Sequence, residues 1–297
     1  MKKLIFKGSG VAIVTPFNAD GSINFDVFAQ LIEFQIANGT DAIIVCGTTG
    51  ESATLSNTEQ AQCIEFAVKQ INGRVPVIGG AGTNCTSHAV ELVKTAAALG
   101  VDGLLSVTPY YNKTTQEGLY RHFTTIADAA GNVPVIVYNV PSRTGLNILP
   151  ETYARLAKHP NINSIKEANG NLPAVIKTLD LCGDDINIYS GEDPVIVPML
   201  SVGSVGVISV LSNICPKETH DMCALWFEGK TKESAKLQIK YSELIAALFC
   251  EVNPIPVKAA LKLMGYDVGG CRLPLCDIGD TGKKQLVSAM QKVGLIG

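Results

Sequence analysis

The residue best placed to do chemistry is Lys166, which lies at the end of a short apolar segment within 163–168, Asn-Ser-Ile-Lys-Glu-Ala. A lysine held against low-dielectric walls loses part of its preference for the charged form, and its neutral amine can attack a carbonyl to form a Schiff base. The alternative is an ordinary loop lysine with its ammonium in water. The position of Lys166 leaves both interpretations open. The residues at the ends of the other apolar segments distinguish a reactive lysine from an ordinary one.

The loop at 47–52, Gly-Thr-Thr-Gly-Glu-Ser, follows another apolar segment and has the features of an anion-binding turn. Its flanking glycines allow a sharp turn in which backbone N–H groups point at a ligand. The hydroxyls of Thr48 and Thr49 can donate to a carboxylate or relay a proton. Because no Gly-Lys-Ser/Thr follows, this is not a nucleotide-binding P-loop.

Two more segment ends carry tyrosines and an arginine. One leads into the tandem pair Tyr110 and Tyr111, and the other ends at Tyr138 and continues to Arg143. A phenol can carry a proton in a hydrogen-bonded relay, and a guanidinium can clamp a substrate carboxylate with two hydrogen bonds. A buried strand-end tyrosine and a surface salt bridge are the alternatives. Convergence of these residues with Lys166 favours a site.

Eight apolar, β-rich segments must position these residues, and they recur at intervals of roughly 20 to 35 residues. Their near-continuous apolar character is typical of parallel strands covered on both faces. Glycines at 39, 73, 100 and 131 each follow a helix-like segment, where a left-handed terminal residue is expected. The eight segments are 11–14, 42–46, 76–79, 103–107, 134–139, 163–166, 186–190 and 205–209.

This alternation predicts an α/β protein, an eightfold (β/α) TIM barrel with a C-terminal helical extension. Active sites in such barrels lie at the C-terminal ends of the strands, where the residues above are found. We expect the barrel over 1–228 and the extension over 229–297. Helical periodicity in the barrel is clear at 25–37 and after a capping box at 56–59. Further helices are expected at 214–227, 234–250, 254–264 and 282–293.

Composition argues against several classes of function. Of the 297 residues, 46% are hydrophobic and 17% are charged, and the net charge is −3. No basic, aromatic-rich run suggests nucleic acid, and no run of about 18 apolar residues suggests a membrane span. The 9 cysteines lack C-x-x-C spacing and the 4 histidines are dispersed, so we expect neither disulfides nor a metal site. The N-terminal apolar run is too short for a signal peptide, which predicts a cytoplasmic protein.

Five motifs, in order and at spacings that suit a barrel, resemble those of the dihydrodipicolinate synthase family of pyruvate-dependent class I aldolases and lyases. The resemblance runs from about Gly8 to Leu275, nearly the whole chain. The Thr48–Thr49 pair together with Arg143 favours the synthase over its relatives. The motifs lie at 47–51, 110–113, 138–145, 165–167 and 189–193.

The resemblance implies a condensation of pyruvate with L-aspartate 4-semialdehyde to give 4-hydroxy-tetrahydrodipicolinate, an intermediate toward diaminopimelate and lysine. Lys166 would form the Schiff base with pyruvate. Three residues would relay protons: Tyr138, Thr48 and Tyr111, the last supplied by a neighbouring subunit. The covalent adduct carries the reaction, so neither a cofactor nor a metal is implied.

The resemblance also assigns the substrate contacts. Thr48 and Thr49 would hold the pyruvate carboxylate through backbone and hydroxyl donors. Arg143 would receive the carboxylate of the aldehyde substrate. Gly191 and Ile208 would shape the pyruvate end of the site through backbone contacts.

A regulatory site for lysine at the subunit interface is a further implication. The pattern of lysine-sensitive members is kept at Ser52, Ala53, Asn84 and Tyr110. Asn57 and Gln60 stand where those members tend to carry histidines, and His88 stands where an acidic residue would engage the ammonium of lysine. Loss of that carboxylate removes a charge-assisted hydrogen bond. We therefore expect inhibition by lysine to be weak or absent.

A tyrosine that crosses between subunits requires at least a dimer, and we expect a homotetramer built as a dimer of dimers. Two other functions remain open at this point. One is a different pyruvate-dependent aldolase, such as N-acetylneuraminate lyase or a keto-deoxy sugar acid aldolase, which would accept sugar-like aldehydes. The other is a non-catalytic barrel that senses a keto acid, which would be expected to lack Lys166 or the tyrosine relay.

Overall fold

Eight parallel strands close into a barrel in the computed structural model, which describes residues 2–297. Each strand pairs with the next along the chain, and the last pairs with the first, so the sheet has no edge. The strands are β1 Gly8–Ala12, β2 Ala42–Val45, β3 Val77–Gly80, β4 Gly103–Val107, β5 Val135–Asn139, β6 Ile162–Glu167, β7 Asn187–Ser190 and β8 Gly206–Ser209.

Helices surround the barrel and continue beyond it, which confirms the predicted (β/α)8 barrel with C-terminal helices. The helices of residues 2–297 are α1 Phe25–Ala37, α2 Asn57–Ile71, α3 Thr86–Ala98, α4 Gln116–Ala129, α5 Pro141–Thr144, α6 Pro150–Leu156, α7 Leu172–Cys182, α8 Ile196–Ser201, α9 Pro216–Phe227, α10 Thr231–Lys240, α11 Ser242–Ala247, α12 Ile255–Leu263 and α13 Asp280–Val293.

Local sequence signals account for several helix ends. The Ser56 side chain accepts from the Glu59 N–H and the Glu59 carboxylate accepts from the Ser56 N–H, so α2 begins with the predicted capping box. The glycines at 39, 73, 100 and 131 all have positive φ, as their positions after helices require.

Two predicted boundaries were wrong. The first strand was expected at 11–14, but β1 begins at Gly8. Residues 8–10 have low β-propensity, so the sequence pattern did not predict a strand there, yet they pair with β8. A Cβ on Gly206 would lie 2.0 Å from the Gly8 carbonyl oxygen, so glycine is required at this contact. The single helix expected at 234–250 is two helices, α10 and α11, which meet at the buried Tyr241.

The barrel interior is closed at its N-terminal end. Phe6, just before β1, stacks on Tyr189 with ring centroids 4.3 Å apart, and the Tyr189 hydroxyl donates to the Phe6 carbonyl at 2.6 Å. Ile44, Ile136 and other strand residues complete this inner apolar cluster. The opposite end, where the strands terminate, is therefore the end that can admit a ligand.

The C-terminal helices pack into the same outer apolar layer as the barrel helices. Leu244, Leu261 and Leu286 are fully buried there together with Phe28 and Phe123 of the barrel. The division of the chain at residue 228 stays a prediction. Within residues 2–297, no helix combines the length and the apolar character needed to cross a membrane. The 9 cysteines are free thiols.

Candidate active site

Lys166 lies near the C-terminal end of β6 and is almost completely buried, with 6% of its surface exposed. Its neighbours across the sheet are Tyr138 on β5 and Tyr189 on β7. The Lys166 Nζ lies 4.3 Å from the centroid of the Tyr138 ring. The amine is therefore held beside a phenol in a largely water-free part of the barrel.

Burial lowers the pKa of Lys166 from its ordinary value of 10.5 to about 8. The Asp193 carboxylate opposes this shift, and the Arg143 guanidinium adds to it. A pKa of about 8 leaves about a tenth of the amine neutral at pH 7. That fraction is enough to supply a nucleophile without removing the group's ability to return to the charged form.

The phenol of Tyr138 is held protonated. Burial raises its pKa from 10.0 to about 12, and the opposing effects of Arg143 and of a hydrogen bond with Thr48 are smaller. A protonated phenol beside the Lys166 amine, with the Thr48 hydroxyl lining the same cavity, is an arrangement that can deliver and recover protons.

The loop after β2 is held in place by contacts from two directions. The Thr15 hydroxyl donates to the Gly50 carbonyl at 2.7 Å. Asn253, in the segment between α11 and α12, donates from Nδ2 to the Thr49 hydroxyl oxygen at 3.0 Å. A Cβ on Gly50 would lie 3.1 Å from the Ile13 carbonyl oxygen, so this turn has little room for a side chain.

An ion pair buried beneath this loop ties it to the C-terminal extension. The Lys258 Nζ on α12 lies 2.8 Å from Glu51, and the two side chains are 2% and 0% exposed. The same ammonium donates to the carbonyls of Thr15 and Gly270, and the other Glu51 oxygen accepts from the Arg272 N–H. Every charge in this cluster is thus matched by a buried partner.

Arg143 lies on the short helix α5, directly after β5, and its side chain is exposed. Its Nη2 donates to the backbone carbonyl of Asn253 at 3.2 Å. That contact orients the guanidinium at the mouth of the barrel, where it remains free to bind an anion.

A cavity of about 650 Å³ brings these groups together. A Cβ on Gly191 would lie 2.8 Å from the Ala168 Cβ and 3.1 Å from the Lys166 Cγ, so glycine keeps the space beside the lysine open. Six of the residues predicted from the sequence line this cavity: Thr48, Thr49, Tyr138, Arg143, Lys166 and Gly191.

The remaining two predicted site residues do not line this cavity in the single chain. Ile208 is buried in the inner cluster of the barrel. Tyr111 is 91% exposed, has a φ of 69°, and does not line the cavity. The roles expected for them stay predictions.

Comparison with known proteins decides the family. The model of the dihydrodipicolinate synthetase family matches residues 5–293. The chain belongs to this family.

Individual family members are similar over nearly their full length. The 4-hydroxy-tetrahydrodipicolinate synthase of Caldicellulosiruptor saccharolyticus is 54% identical over 291 residues, which are 98% of each chain. The lysine-bound enzyme of Cyanidioschyzon merolae superposes with a TM-score of 0.96 at 42% identity, covering 99% of this chain and 100% of that one. A monomeric dihydrodipicolinate synthase variant superposes with a TM-score of 0.95 at 43% identity, covering 98% of both chains.

A second cavity of about 300 Å³ adjoins the first in this family member and shares Thr48, Val140 and Arg143 with it. Of the predicted regulatory residues, Ser52, Ala53 and Tyr110 line it. Asn84 does not, and its carbonyl accepts from the Asn112 side chain.

The polar groups of the second cavity are paired with one another. The His88 Nε2 donates to the Asn57 Oδ1 at 3.0 Å, and the Gln60 Nε2 donates to the Ser52 carbonyl at 2.9 Å. No carboxylate lines this cavity within the described part of the chain.

Sequence reasoning missed three groups that lie in the active site or support its loops. Asp193 is buried, and its Oδ2 accepts from the N–H groups of Val210 and Leu211 at 3.0 and 2.9 Å. Burial raises its pKa, and its proximity opposes loss of the Lys166 proton. Asp193 belongs to the quoted motif at 189–193, so a signal was present. Asn253 and Lys258 carried no comparable signal, because they lie in the helical extension.

Glu167, the residue after the lysine, lies in a buried network on the outer side of the strand. It accepts from the Tyr153 hydroxyl and the Asn139 side chain, each at 2.9 Å. Burial raises its pKa to about 7, against the effect of these hydrogen bonds. The network fixes the ends of β5 and β6, which carry Tyr138 and Lys166.

Proposed function

We propose that the protein condenses pyruvate with L-aspartate 4-semialdehyde to give 4-hydroxy-tetrahydrodipicolinate, through a Schiff base on Lys166. The observation that carries this proposal is the buried Lys166 amine, with its pKa lowered to about 8, at the base of a cavity beside Tyr138. Relatives that carry the name of this activity are more than half identical over nearly the whole chain.

The reaction begins when the neutral Lys166 amine attacks the ketone carbon of pyruvate. Loss of water gives a protonated imine, which acts as an electron sink for the adjacent methyl group. Removal of a methyl proton leaves an enamine, and the enamine carbon attacks the aldehyde to form the new carbon–carbon bond.

Ring closure releases the enzyme. The amine of the second substrate attacks the imine carbon, the bond from that carbon to Lys166 Nζ breaks, and a proton passes to Nζ. Each of these steps moves a proton, and the Tyr138–Thr48 pair is positioned to move it. General acid–base groups of this kind contribute about 10²–10⁴-fold to rate.

Carboxylates of the two substrates take separate anchors in this proposal. Thr48 and Thr49 hold the carboxylate of pyruvate through their hydroxyls and the N–H groups of the turn. Arg143 binds the carboxylate of the aldehyde at the cavity mouth. Gly191 and Ile208 shape the pyruvate end with their backbones.

A neighbouring subunit completes the relay. In the single chain Tyr111 projects into solvent and does not line the cavity. We propose that it enters the site of a second copy, in a dimer that pairs into a homotetramer. No cofactor is required, and the enzyme acts in the cytoplasm.

The second cavity is proposed as a regulatory site that responds weakly or not at all to lysine. A related enzyme from Cyanidioschyzon merolae has been solved with lysine bound. In this chain His88 already bonds Asn57, and no lining carboxylate is available for an ammonium among the described residues.

The experiment that tests the function is a condensation assay with both substrates, run beside Lys166→Ala. Lys69→Ala is the matched control, because it removes a lysine whose side chain is 72% exposed. We expect turnover in the parent and the control, and almost none in Lys166→Ala. Undiminished turnover in Lys166→Ala would remove the mechanism. If the parent shows no turnover but borohydride still traps a pyruvate adduct on Lys166, the second substrate is a sugar-type aldehyde and not L-aspartate 4-semialdehyde.

A further inference from the structure

Glu192 follows β7 at the C-terminal end of the barrel and lines the active-site cavity. Its backbone is held by the Ser190 hydroxyl, which accepts from the Glu192 N–H at 3.2 Å and donates to the Glu192 carbonyl at 2.8 Å. The preceding residue is Gly191, where a Cβ would lie 3.1 Å from the Lys166 Cγ. The fold therefore fixes a residue that bears a carboxylate beside the reactive lysine.

The Glu192 carboxylate has no hydrogen-bond or ion-pair partner within residues 2–297. The residue is half-buried, so it has lost part of its hydration without gaining a donor from the protein. A carboxylate in such a place carries an electrostatic cost, which a cation from a ligand removes. Because Glu192 is only half-buried and lines the cavity, part of its surface is open to a bound ligand.

The other carboxylates at this end of the barrel are engaged by backbone N–H groups. Glu251 also lines the cavity, but its Oε1 accepts from the Gly279 N–H at 3.0 Å, at the start of α13. Asp193 is buried, does not line the cavity, and accepts from two backbone N–H groups through Oδ2. Among the described residues of the cavity wall, Glu192 is therefore the carboxylate left for a ligand cation.

Strand order places opposite charges on either side of the lysine. Arg143 follows β5 and Glu192 follows β7, and both strands pair with β6, which carries Lys166. Pyruvate has a carboxylate but no cation. L-aspartate 4-semialdehyde has both a carboxylate and an ammonium, and its nitrogen must approach the carbon bound to Lys166 before the ring can close. A carboxylate beside the lysine is placed to meet that ammonium.

We propose that Glu192 is a further catalytic residue, which binds the α-ammonium group of the aldehyde substrate and removes its proton before ring closure. The inference rests on the proposed function and adds a step to it. An ammonium has no lone pair, so it cannot attack the imine carbon until it loses a proton. That proton moves from the substrate nitrogen to a Glu192 carboxylate oxygen.

The steps that follow balance in charge. The freed lone pair of the substrate nitrogen forms a bond to the imine carbon, and the electron pair of the C=N double bond moves to the Lys166 Nζ. A second proton then passes from the ring nitrogen to Nζ. The C–Nζ bond breaks with its electron pair going to Nζ, while the lone pair of the ring nitrogen forms a new C=N bond. A ring iminium and the neutral Lys166 amine result, and Glu192 returns its proton to water.

The surroundings of Glu192 suit a base. Burial raises the pKa of its carboxyl, and the neighbouring Asp193 carboxylate adds to this shift. The Glu192 charge in turn raises the pKa of the Tyr138 phenol, so the carboxylate lies near a group of the proposed relay. A carboxylate with a raised pKa takes a proton from an ammonium at a lower cost in free energy.

The test is to trap the intermediates on Lys166 with borohydride during turnover at saturating aldehyde, and to weigh the protein by mass spectrometry. Pyruvate alone gives one reduced adduct, and pyruvate joined to the aldehyde gives a heavier one. We expect Glu192→Gln, which keeps the size of the side chain but not its charge, to lower kcat about 10²–10⁴-fold and to accumulate the heavier adduct. Glu251→Gln is the matched control, because its amide oxygen can still accept from the Gly279 N–H, and we expect it to behave as the parent.

A purely structural role of Glu192 gives a different result. In that case the pyruvate adduct itself forms more slowly in Glu192→Gln, the heavier adduct does not accumulate, and the proposal is overturned. Succinate semialdehyde has no amino group, so its heavier adduct is an end point that cannot close a ring. We expect Glu192→Gln to form this adduct at the rate of the parent; a loss as large as that seen with L-aspartate 4-semialdehyde contradicts a role toward the amino group.

The first adduct separates this proposal from the proposed function. A parent enzyme that forms no pyruvate adduct on Lys166 refutes the Schiff-base function itself. A parent that forms the adduct and turns over, beside a Glu192→Gln variant with the same kcat and the same trapped adducts, refutes only the role of Glu192.

Discussion

Replacing Lys258 by methionine tests whether the C-terminal helices support the loop after β2 that carries Thr48 and Thr49. The change removes the ammonium from a pair whose side chains are 2% and 0% exposed, and leaves the Glu51 carboxylate buried without its cation. Hydrogen bonds to the Thr15 and Gly270 carbonyls are lost as well. Breaking a buried pair in this way costs about 3–5 kcal/mol.

That cost is a large share of the stability of a folded chain, which is about 5–15 kcal/mol. For a chain of this size it corresponds to a fall in Tm of roughly 6–10 °C or more. Because Glu51 follows Thr48 and Thr49 in the same loop, we also expect the KM for pyruvate to rise. The measurements are urea denaturation followed by circular dichroism, and steady-state kinetics at varied pyruvate.

Two controls make the result interpretable. Lys69→Met removes an exposed partner of Glu65, where a surface pair contributes about 0.2–1 kcal/mol at most. Glu51→Gln, alone and combined with Lys258→Met, completes a double-mutant cycle. We expect the double variant to lose less free energy of unfolding than the two single variants lose together. If Lys258→Met is as stable as Lys69→Met and its KM for pyruvate is unchanged, the reasoning about this pair is refuted.

Three further predictions concern the active site and the second cavity. Tyr138→Phe removes the hydroxyl that we propose carries protons, so we expect kcat in the condensation assay to fall by about 10²–10⁴-fold while the protein stays folded. A loss below threefold in that assay contradicts the relay. Lys166 has its pKa lowered to about 8, so the rate of borohydride-trapped adduct formation with pyruvate rises about tenfold per pH unit below that value and levels off above it. A profile that is flat through this range disproves the assignment. We expect lysine to inhibit the parent enzyme weakly or not at all, and His88→Glu to be more sensitive to lysine because it supplies a carboxylate for the ammonium. Half-inhibition of the parent by submillimolar lysine contradicts this prediction.

The barrel and much of the site were predictable because both depend on short-range signals. Apolar segments of strand length, separated by helices that end in glycine, predict βα units, and strand ends in a barrel share one face. Lys166, Tyr138 and Arg143 were therefore expected to meet, and they line one cavity. Resemblance to family motifs supplied their roles, which periodicity alone could not.

The missed residues act over long separations in the chain. Asn253 and Lys258 belong to helices and loops after the barrel, where nothing in the local pattern relates them to a loop near residue 50. Their partners, Thr49 and Glu51, lie more than 200 residues earlier. The strand β1 was misplaced for a related reason, since its glycines are selected by contact with β8 rather than by their own propensity.

The hydrogen bond between Asn253 and Thr49 joins positions 204 residues apart, so these two residues leave the ribosome at very different times. At about 5–20 residues per second, synthesis of the intervening chain takes roughly 10–40 s. During that interval the threonine turn exists without the amide that holds it, and β1 has no β8 to pair with. Nascent or prematurely terminated chains therefore cannot assemble the proposed substrate anchors. Catalytic competence therefore arises late in translation, when nearly the whole polypeptide has emerged.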